Sequence, residues 1–305
     1  MVLVTGGAGF IGSHTVEALI AGGGRVRVLD NFSTGRRENL PASVMLEVVD
    51  GDVRDPVVVD RAMRGVTRVL HLAAQVSVVK SVEDPVTSGA VNVGGFLVVL
   101  DAARRAGIGR LVYASSAAVY GAPDQVPLDE SAPARPQSPY GLEKSIDDQY
   151  AALFSDLYGM HCLGLRYFNV YGPRQDPASP YAGVISKFLD CMRASRPLRV
   201  FGDGEQTRDF VFVEDVARAN VLALAAPATG VCNVGTGRSA SLLEVARLLG
   251  DASGRRLEIR HERARPGDIR HSATSTARLR EVIGDLRPVG LQEGLRTLLR
   301  AERIP

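Results

Sequence analysis

Short apolar runs alternate, through the first half of the chain, with stretches in which apolar positions recur every three or four residues. Residues 2–4 precede such a stretch at 11–21, and the runs at 26–29, 45–49, 69–72 and 111–114 are each followed by another helical pattern. Runs that are apolar throughout, without in–out alternation, fit strands buried on both faces, and the spacing between them is helical. This βαβα order predicts an α/β fold with a doubly wound parallel sheet and helices on both sides. The regularity fades after about Arg166. Residues 173–210 are rich in Pro, Gly, Asp and Arg, with one clear helix near 184–193. Residues 210–213 then read as a strand feeding a helix that starts at Glu214-Asp215 and runs through Ala226, and 231–234 read as one more strand. Residues 278–305 read as a basic amphipathic helix with a ragged end, a solvated face. No internal repeat or low-complexity tract interrupts the pattern.

Composition narrows the picture. With 305 residues, 45% of them hydrophobic and 23% charged, the chain is long enough for two domains or one large one, and disorder cannot be its main state. The formal net charge of +2 is too even for nucleic-acid binding driven by counterion release, so any anionic ligand must be met locally. The three cysteines, Cys162, Cys191 and Cys232, are odd in number, far apart and without metal-ligand spacing, so neither a disulfide framework nor a metal site is expected and a reducing compartment fits. Residues 2–5 already read as a strand, and no run approaches ~18 uninterrupted apolar residues. The expectation is a soluble cytoplasmic protein with no membrane or nucleic-acid partner.

The first strand ends in Gly6-Gly7-Ala8-Gly9-Phe10-Ile11-Gly12, which opens a helix, and Asp30 ends the next strand. In a Rossmann dinucleotide-binding unit, Gly6 permits the tight turn, Gly9 lets backbone approach a pyrophosphate and Gly12 lets helix pack on strand. The helix N-terminus offers free N–H groups and a positive dipole end. Asp30 would accept both hydroxyls of an adenosine ribose and repel a 2′-phosphate, which favours NAD over NADP; Arg36 and Arg37 argue the other way unless they face solvent. Asp52-Val53 stand where they either meet the adenine or, with Asp55, cap a helix. The expected division is a Rossmann domain at residues 1–167 plus 210–236 and a second, smaller α/β substrate lobe at 168–209 plus 237–305.

Tyr140 and Lys144 lie four apart in a helical pattern that starts after Pro139, so they project from one face. Ser116 ends the strand at 111–114, on the sheet edge where doubly wound folds bind ligands. A phenol ionises near pH 10 and is a poor base at neutral pH unless an ammonium group and a cationic nicotinamide stabilise its phenolate. Lys144 and NAD would do both. A surface Tyr/Lys pair beside a strand-end serine is the alternative.

The glycine motif, residues 116–121 (Ser-Ala-Ala-Val-Tyr-Gly), Ser138-Pro139-Tyr140-Gly141 with Lys144, and Arg166-Tyr167-Phe168-Asn169 together resemble an extended short-chain dehydrogenase/reductase of the UDP-hexose 4-epimerase group. The resemblance covers nearly the whole chain. It extends to Gly202-Asp203-Gly204, Thr207-Arg208-Asp209-Phe210 and Arg265-Pro266-Gly267-Asp268, which are similar to that family's nucleotide-sugar-binding segments. It implies catalysis by Ser116, Tyr140 and Lys144. Expected cofactor contacts are Gly6, Gly9, Phe10, Ile11, Gly12, Asp30, Asn31, Ser33, Thr34, Gly35, Asp52, Val53, Leu72, Ala73, Ala74, Asn92, Tyr140, Lys144 and Tyr167. For a UDP-sugar substrate, Arg208 and Arg265 would clamp phosphates with guanidinium forks. Phe201 would pack on uracil and Asn169 would bind near the sugar and diphosphate, with Ser116, Arg174, Gln175, Asp268 and Ser272 completing the set. An ion pair with a neighbouring carboxylate is the other reading of Arg208. The resemblance also implies a homodimer paired through helices at about 85–106 and 139–158, where Val91, Val98, Ile146 and Leu153 face either core or partner.

Departures from the family pattern bear on the reaction. Dehydratases of the family carry Asp-Glu, and decarboxylases a Glu, just after the catalytic hydroxyl, whereas this chain has Ala117-Ala118. Proton abstraction at C5 lacks its agent, and oxidation and re-reduction at C4 remain equipped. The expected activity is NAD-dependent 4-epimerisation of UDP-sugars through a transient 4-keto intermediate. The alternatives are a UDP-glucuronate 4-epimerase, with Arg174 or Lys187 over the sugar carboxylate, a nucleotide-sugar dehydratase, or an idle NAD-sensing scaffold. Ser272 stands where epimerases restricted to glucose and galactose carry a bulky tyrosine. Together with Arg174-Gln175-Asp176-Pro177 and Tyr181, it resembles the branch acting on UDP-N-acetylhexosamines. Ser272 is otherwise a loop residue whose neighbours close the gap.

Overall fold

The computed structural model describes residues 1–176, 183–264 and 269–304. Its strands are β1 (Val2–Thr5), β2 (Val26–Asp30), β3 (Leu46–Asp50), β4 (Arg68–His71), β5 (Arg110–Ser116), β6 (His161–Tyr167), β7 (Asn169–Tyr171), β8 (Leu198–Phe201), β9 (Thr207–Phe212), β10 (Gly230–Val234), β11 (Ser239–Ser241) and β12 (Ile259–Glu262). Seven of them form one parallel sheet in the order β10-β6-β5-β4-β1-β2-β3. The strand order reverses beside β1, which opens a crevice at the carboxyl ends of β1 and β4.

Neighbouring residues of the central strands serve opposite cores. Leu3, Val69 and Leu111 pack with Phe96 and Val99 on one face, while Val4, Leu70 and Val112 pack with Val16 and Val216 on the other. This double burial is why the runs lack alternation. Helices α1 (Phe10–Ala21), α8 (Val213–Ala225) and α10 (Ala277–Ile283) contribute to the second face. The first face is covered by α2 (Pro56–Met63), by α5 (Gly95–Arg105) and by α6 (Pro139–Tyr158); α3 (Val78–Glu83) and α4 (Pro85–Gly89) also lie against α6. A π-helical turn, Ala90–Gly94, joins α4 to α5. The resulting stretch Pro85–Arg105 is long and apolar enough by length and composition to cross a bilayer, but here Asn92, Phe96, Val99, Leu100 and Ala103 are buried in the protein.

The second lobe holds the sheets β11-β9-β7 and β12-β8 with α7 (Val184–Arg193), α9 (Leu242–Ser253) and α11 (Leu291–Ala301). Two expectations need correction. The stretch 210–236 divides: α8 packs on the main sheet and β10 joins it, but β9 pairs with β7 and β11 outside it, and within 237–305 the helix α10 also packs on the main sheet rather than in the second lobe. Phe210 and Phe212 enter the small lobe's core while Val211 enters the large one, so this strand stitches the two cores together. The C-terminal region forms two helices, separated by a segment with positive φ at Gly284 and Arg287. Nor is it only a solvated face: Leu295, Leu298 and Leu299, spaced one helical turn apart, are buried in the small lobe.

Candidate active site

A cleft of about 860 Å³ runs along the carboxyl ends of the central strands. At one end lies the glycine loop. Gly6 has φ +68°, and a Cβ there would stand 2.6 Å from the Ala73 backbone nitrogen; a Cβ on Gly12 would stand 2.2 Å from the Gly6 carbonyl oxygen. Both positions therefore require glycine. Helix α1 starts at Gly9 with no side chain capping it, so its first N–H groups are directed at the cleft without a competing acceptor from their own cap. This cradle, shaped by backbone and closed to side chains, fits the pyrophosphate of a dinucleotide.

Asp30 ends β2 with its carboxylate inside the cleft, where Oδ2 accepts from the Ala8 N–H and Oδ1 from the Phe32 N–H, each at 2.9 Å. The two bonds fix its orientation and leave further lone pairs on each oxygen. Arg37 pairs with Asp50 at 2.7 Å and stacks on Phe32, whereas Arg36 lines the cleft rather than facing away from it. Asp52 lines the cleft too. Its carboxylate is held by Arg54, which keeps it well below the usual range, and accepts from Asn31 at 2.9 Å. The cap of α2 is Asp55.

Beyond the pyrophosphate cradle lie Ser116, Tyr140 and Lys144. Ser138 caps α6 by accepting from the Gly141 N–H at 3.1 Å, and Pro139 occupies the first turn, where its missing N–H costs nothing. The helix start is fixed, and with it the stripe on which Tyr140 and Lys144 sit one turn apart. The Tyr140 backbone N–H donates to Ser81 Oγ at 3.1 Å, which ties that first turn to α3. Ser116 Oγ accepts from the Ala118 N–H at 3.1 Å at the head of a 3-10 turn, Ala117–Tyr120. The Lys144 ammonium is buried and pairs with Asp147 at 3.1 Å.

Of the expected cofactor residues, Gly6, Gly9, Phe10, Ile11, Gly12, Asp30, Asn31, Ser33, Thr34, Gly35, Asp52, Val53, Leu72, Ala73, Ala74, Tyr140, Lys144 and Tyr167 all line this cleft. Asn92 does not. It is buried in the π-turn, where it clamps the Gln75 backbone in both directions at 2.7 and 2.9 Å and donates to Glu143 at 2.5 Å, so it supports the cleft-lining loop from behind.

The substrate set is more dispersed. Ser116, Arg174 and Gln175 line the cleft, but Arg174 is paired with Glu17 of α1 at 2.6 Å, on the glycine-loop side. Asn169 donates to the Asp209 carbonyl at 3.3 Å; Arg208 donates to the carbonyl of Thr207, and Phe201 ends β8 in the second lobe. Ser272 is 8% exposed, and its N–H donates to the Thr207 carbonyl at 3.1 Å. None of these four is part of the cleft lining. Arg265, Asp268, Pro177 and Tyr181 lie outside the described residues. Sequence reasoning missed Phe32, Asn39 and Glu302, which also line the cleft, and named Phe168 and Asp176, which line it too, only as parts of motifs. Asn39 had a readable role only in retrospect, since its amide donates to the Ala8 carbonyl and closes the glycine loop.

A model of the NAD dependent epimerase/dehydratase family matches residues 2–235. A putative UDP-glucose 4-epimerase of Methanocaldococcus jannaschii is 42% identical over 301 residues, covering 98% of this chain and 97% of its own. Among solved structures, a UDP-N-acetylglucosamine 4-epimerase from Methanobrevibacter ruminantium, in complex with UDP-N-acetylmuramic acid, superposes with a TM-score of 0.95 at 37% identity, covering 99% of this chain and 97% of that one. A Thermus thermophilus UDP-glucose 4-epimerase complexed with NAD gives a TM-score of 0.91 at 42% identity, with 99% and 98% coverage.

Proposed function

Since the chain belongs to the NAD-dependent epimerase/dehydratase family, we propose that it is a 4-epimerase of UDP-sugars that accepts UDP-N-acetylhexosamines as well as UDP-glucose and UDP-galactose. The observation that carries this reading is one cleft with Ser116, Tyr140 and Lys144 at one end, an uncapped glycine loop at the other, and Ala117-Ala118 where an extra acid or base would be needed for elimination.

Gly6 to Gly12 would hold the pyrophosphate of NAD and Asp30 its adenosine ribose, and bound NAD supplies a reversible hydride acceptor. The Lys144 ammonium stabilises a phenolate on Tyr140, which takes the proton of the sugar's 4-hydroxyl as C4 is oxidised. Ser116 hydrogen-bonds the same oxygen and fixes it. After the 4-keto sugar turns over in the cleft, C4 is reduced on its opposite face and Tyr140 returns the proton to the oxygen. No net oxidation occurs, so nothing in the chain has to release the cofactor between turnovers.

Arg208 and Arg265 are proposed to hold the diphosphate and Phe201 the uracil. Arg174 pairs with Glu17, which argues against it as the cation for a sugar carboxylate and leaves Lys187 as the other candidate for a hexuronate substrate. Room for an acetamido group is inferred from Ser272 standing in place of a tyrosine. The test is proton NMR of the purified protein with UDP-sugars and no added cofactor. UDP-N-acetylglucosamine should be epimerised at least as efficiently as UDP-glucose, and Ser272→Tyr should suppress the N-acetylated substrate selectively. Selective turnover of the unsubstituted hexose, or of UDP-glucuronate, by the unsubstituted protein would refute the pocket assignment.

A homodimer belongs to the same proposal. Val86 on α4, and Leu142, Leu153 and Leu157 on α6, are exposed large apolar side chains on the two helical regions through which pairing is expected, and Val79 and Val82 on the neighbouring α3 are exposed beside them. Val91 instead lines the cleft and Val98 packs on the core, so those two would not face the partner. A monomeric mass by light scattering at micromolar concentration would overturn it.

A further inference from the structure

Lys144 is one of only three lysines in the chain, with Lys80 and Lys187, and it is the one placed in the interior. Its side chain is 2% exposed and that of Asp147 is 0% exposed, with Nζ 3.1 Å from Oδ2. Tyr140, Lys144 and Asp147 follow at four and three residues along α6, so they form one stripe with the ammonium in the middle. Among the described residues, Asp147 Oδ1 has no hydrogen-bonding partner. A buried carboxylate with one oxygen unmet is a costly group, and buried ion pairs contribute little net stability compared with apolar residues of the same size. Packing gives no reason for Asp147; its charge does.

The other groups around the pair have their own partners or are neutral. On α6, Glu143 accepts from Ser88 Oγ at 2.8 Å and from Asn92, and Asp148 accepts from Arg166 of β6 and from the Tyr113 hydroxyl of β5, each at 3.0 Å. From β4, His71 bonds Thr5 Oγ1 at 2.8 Å, and burial pulls it down to about 3, so it is neutral; burial pushes the Tyr113 phenol well up. The near carboxylate of Asp147 is thus the largest offset to the desolvation of the ammonium, with Tyr140 and Asp148 adding to it. An unpaired lysine at this depth would be driven towards the neutral amine by several pH units. Burial likewise pushes Asp147 up to about 6, with Lys144 opposing, so above that pH both members are charged.

We propose that Asp147 is a positioning residue for the reaction: its carboxylate keeps the Lys144 ammonium charged and anchored in the dry wall of the cleft, one turn beyond Tyr140. This rests on the reading of Tyr140 as the base and Lys144 as its cation. Tyr140 is thereby freed from having to hold the ammonium in place, and Lys144 remains charged whether Tyr140 is a phenol or a phenolate. Asp147 touches neither substrate nor cofactor in this account and acts only through Lys144.

The three lysines make the test direct. Side-chain NMR of isotopically labelled lysine in the full-length protein should show the Lys144 ammonium persisting to higher pH than those of Lys80 and Lys187. In Asp147→Asn, the Lys144 titration should fall by ~1–3 units, while Lys80 and Lys187 stay in place. The alkaline limb of kcat/KM should move to lower pH by the same interval, since activity is lost as pH rises through the lowered lysine pKa, and Asp147→Glu should restore most of the shift. A Lys144 that titrates below the other two in the unsubstituted protein, or is unmoved in Asp147→Asn, overturns the proposal. So does a shift of the acid limb alone, which would mean that Asp147 merely weakens the field on Tyr140. The lysine titration is independent of turnover: if Tyr140→Phe stays active while Lys144 shifts as expected, it is the assignment of the base that fails, not the coupling.

Discussion

Replacing Gly12 by alanine should dislocate the cofactor cradle while leaving the fold standing. The added Cβ would lie 2.2 Å from the Gly6 carbonyl oxygen and 2.8 Å from the Gly7 Cα, so about 1 Å of movement is needed to reach ordinary contact. Gly6 has little room of its own to give, since even a Cβ on it would stand 2.6 Å from the Ala73 backbone nitrogen. The start of α1 must move instead, and its N–H groups with it. Overpacking costs ~1–3 kcal/mol and is partly offset by the ~1 kcal/mol that alanine gains over glycine inside a helix, so the net loss of stability should be about 1 kcal/mol. The binding loss should be larger. Each charge-assisted hydrogen bond to a pyrophosphate contributes ~1.5–3 kcal/mol, and one lost bond weakens NAD by ~10- to 100-fold. Gly89→Ala in α4 is the control: nothing lies within 4 Å of its added Cβ, and it should gain ~0.5–1 kcal/mol with NAD content unchanged. Cofactor released on denaturation, NAD titration of the stripped protein and thermal melts measure all three quantities. A Gly12→Ala protein that binds NAD as tightly as the unsubstituted one would show that the loop relaxes freely, contrary to the geometry.

Two further outcomes are expected. Tyr140→Phe keeps the ring but removes the proposed base, so activity should fall at least ~100-fold with folding and NAD content intact; near-normal turnover would sink the mechanism. Cofactor extracted from the protein should be NAD(H) without NADP(H), because Asp30 repels a 2′-phosphate and Arg37 is already spent on Asp50; stoichiometric NADP(H) would mean that Arg36, at the cleft, reads the phosphate instead.

The main sheet was legible because its central strands are buried on both faces, and Leu3 beside Val4 or Leu111 beside Val112 leaves a run that no other element length explains. The glycine loop was legible because most of its chemistry is local: the turn, the approach of Gly12 to Gly6 and Asp30 lie within thirty residues, and only the packing of Gly6 on Ala73 is not. Features that depend on where a second segment lands were not. The Phe-Val-Phe-Val run around β9 reads the same in any sheet, and only its neighbours β7 and β11 reveal that its two faces serve different lobes. Sequence adjacency carried Arg174 towards the sugar, but positive φ at Arg174 and the bond from His14 to the Pro173 carbonyl accompany its turn back over α1 to Glu17. The basic composition of the C-terminal region hid the leucine stripe of α11, although Gly284 and Pro288 already marked the break.

The inner stripe of α6 was the least legible part of the candidate site, and the reason is physical. In sequence, Lys144 is picked out by its spacing from Tyr140, but Glu143, Asp147 and Asp148 look like the solvated face of an amphipathic helix, since charged residues are almost never fully buried unless paired. In the fold they face inward, and each is met by a group from another segment or from one turn along: Ser88 and Asn92 for Glu143, Arg166 and Tyr113 for Asp148, and Lys144 and Asp147 for one another. A core built for stability alone would place apolar side chains there, as α5 does on the same face of the sheet with Phe96 and Val99. Local pattern and tertiary environment agree along most of this chain and conflict on this stripe, which is where sequences that fold well are expected to carry their function. The conflict centres on the helix that carries Tyr140, and the one fully buried side-chain oxygen there left without a partner among the described residues belongs to the carboxylate that holds the lysine beside it.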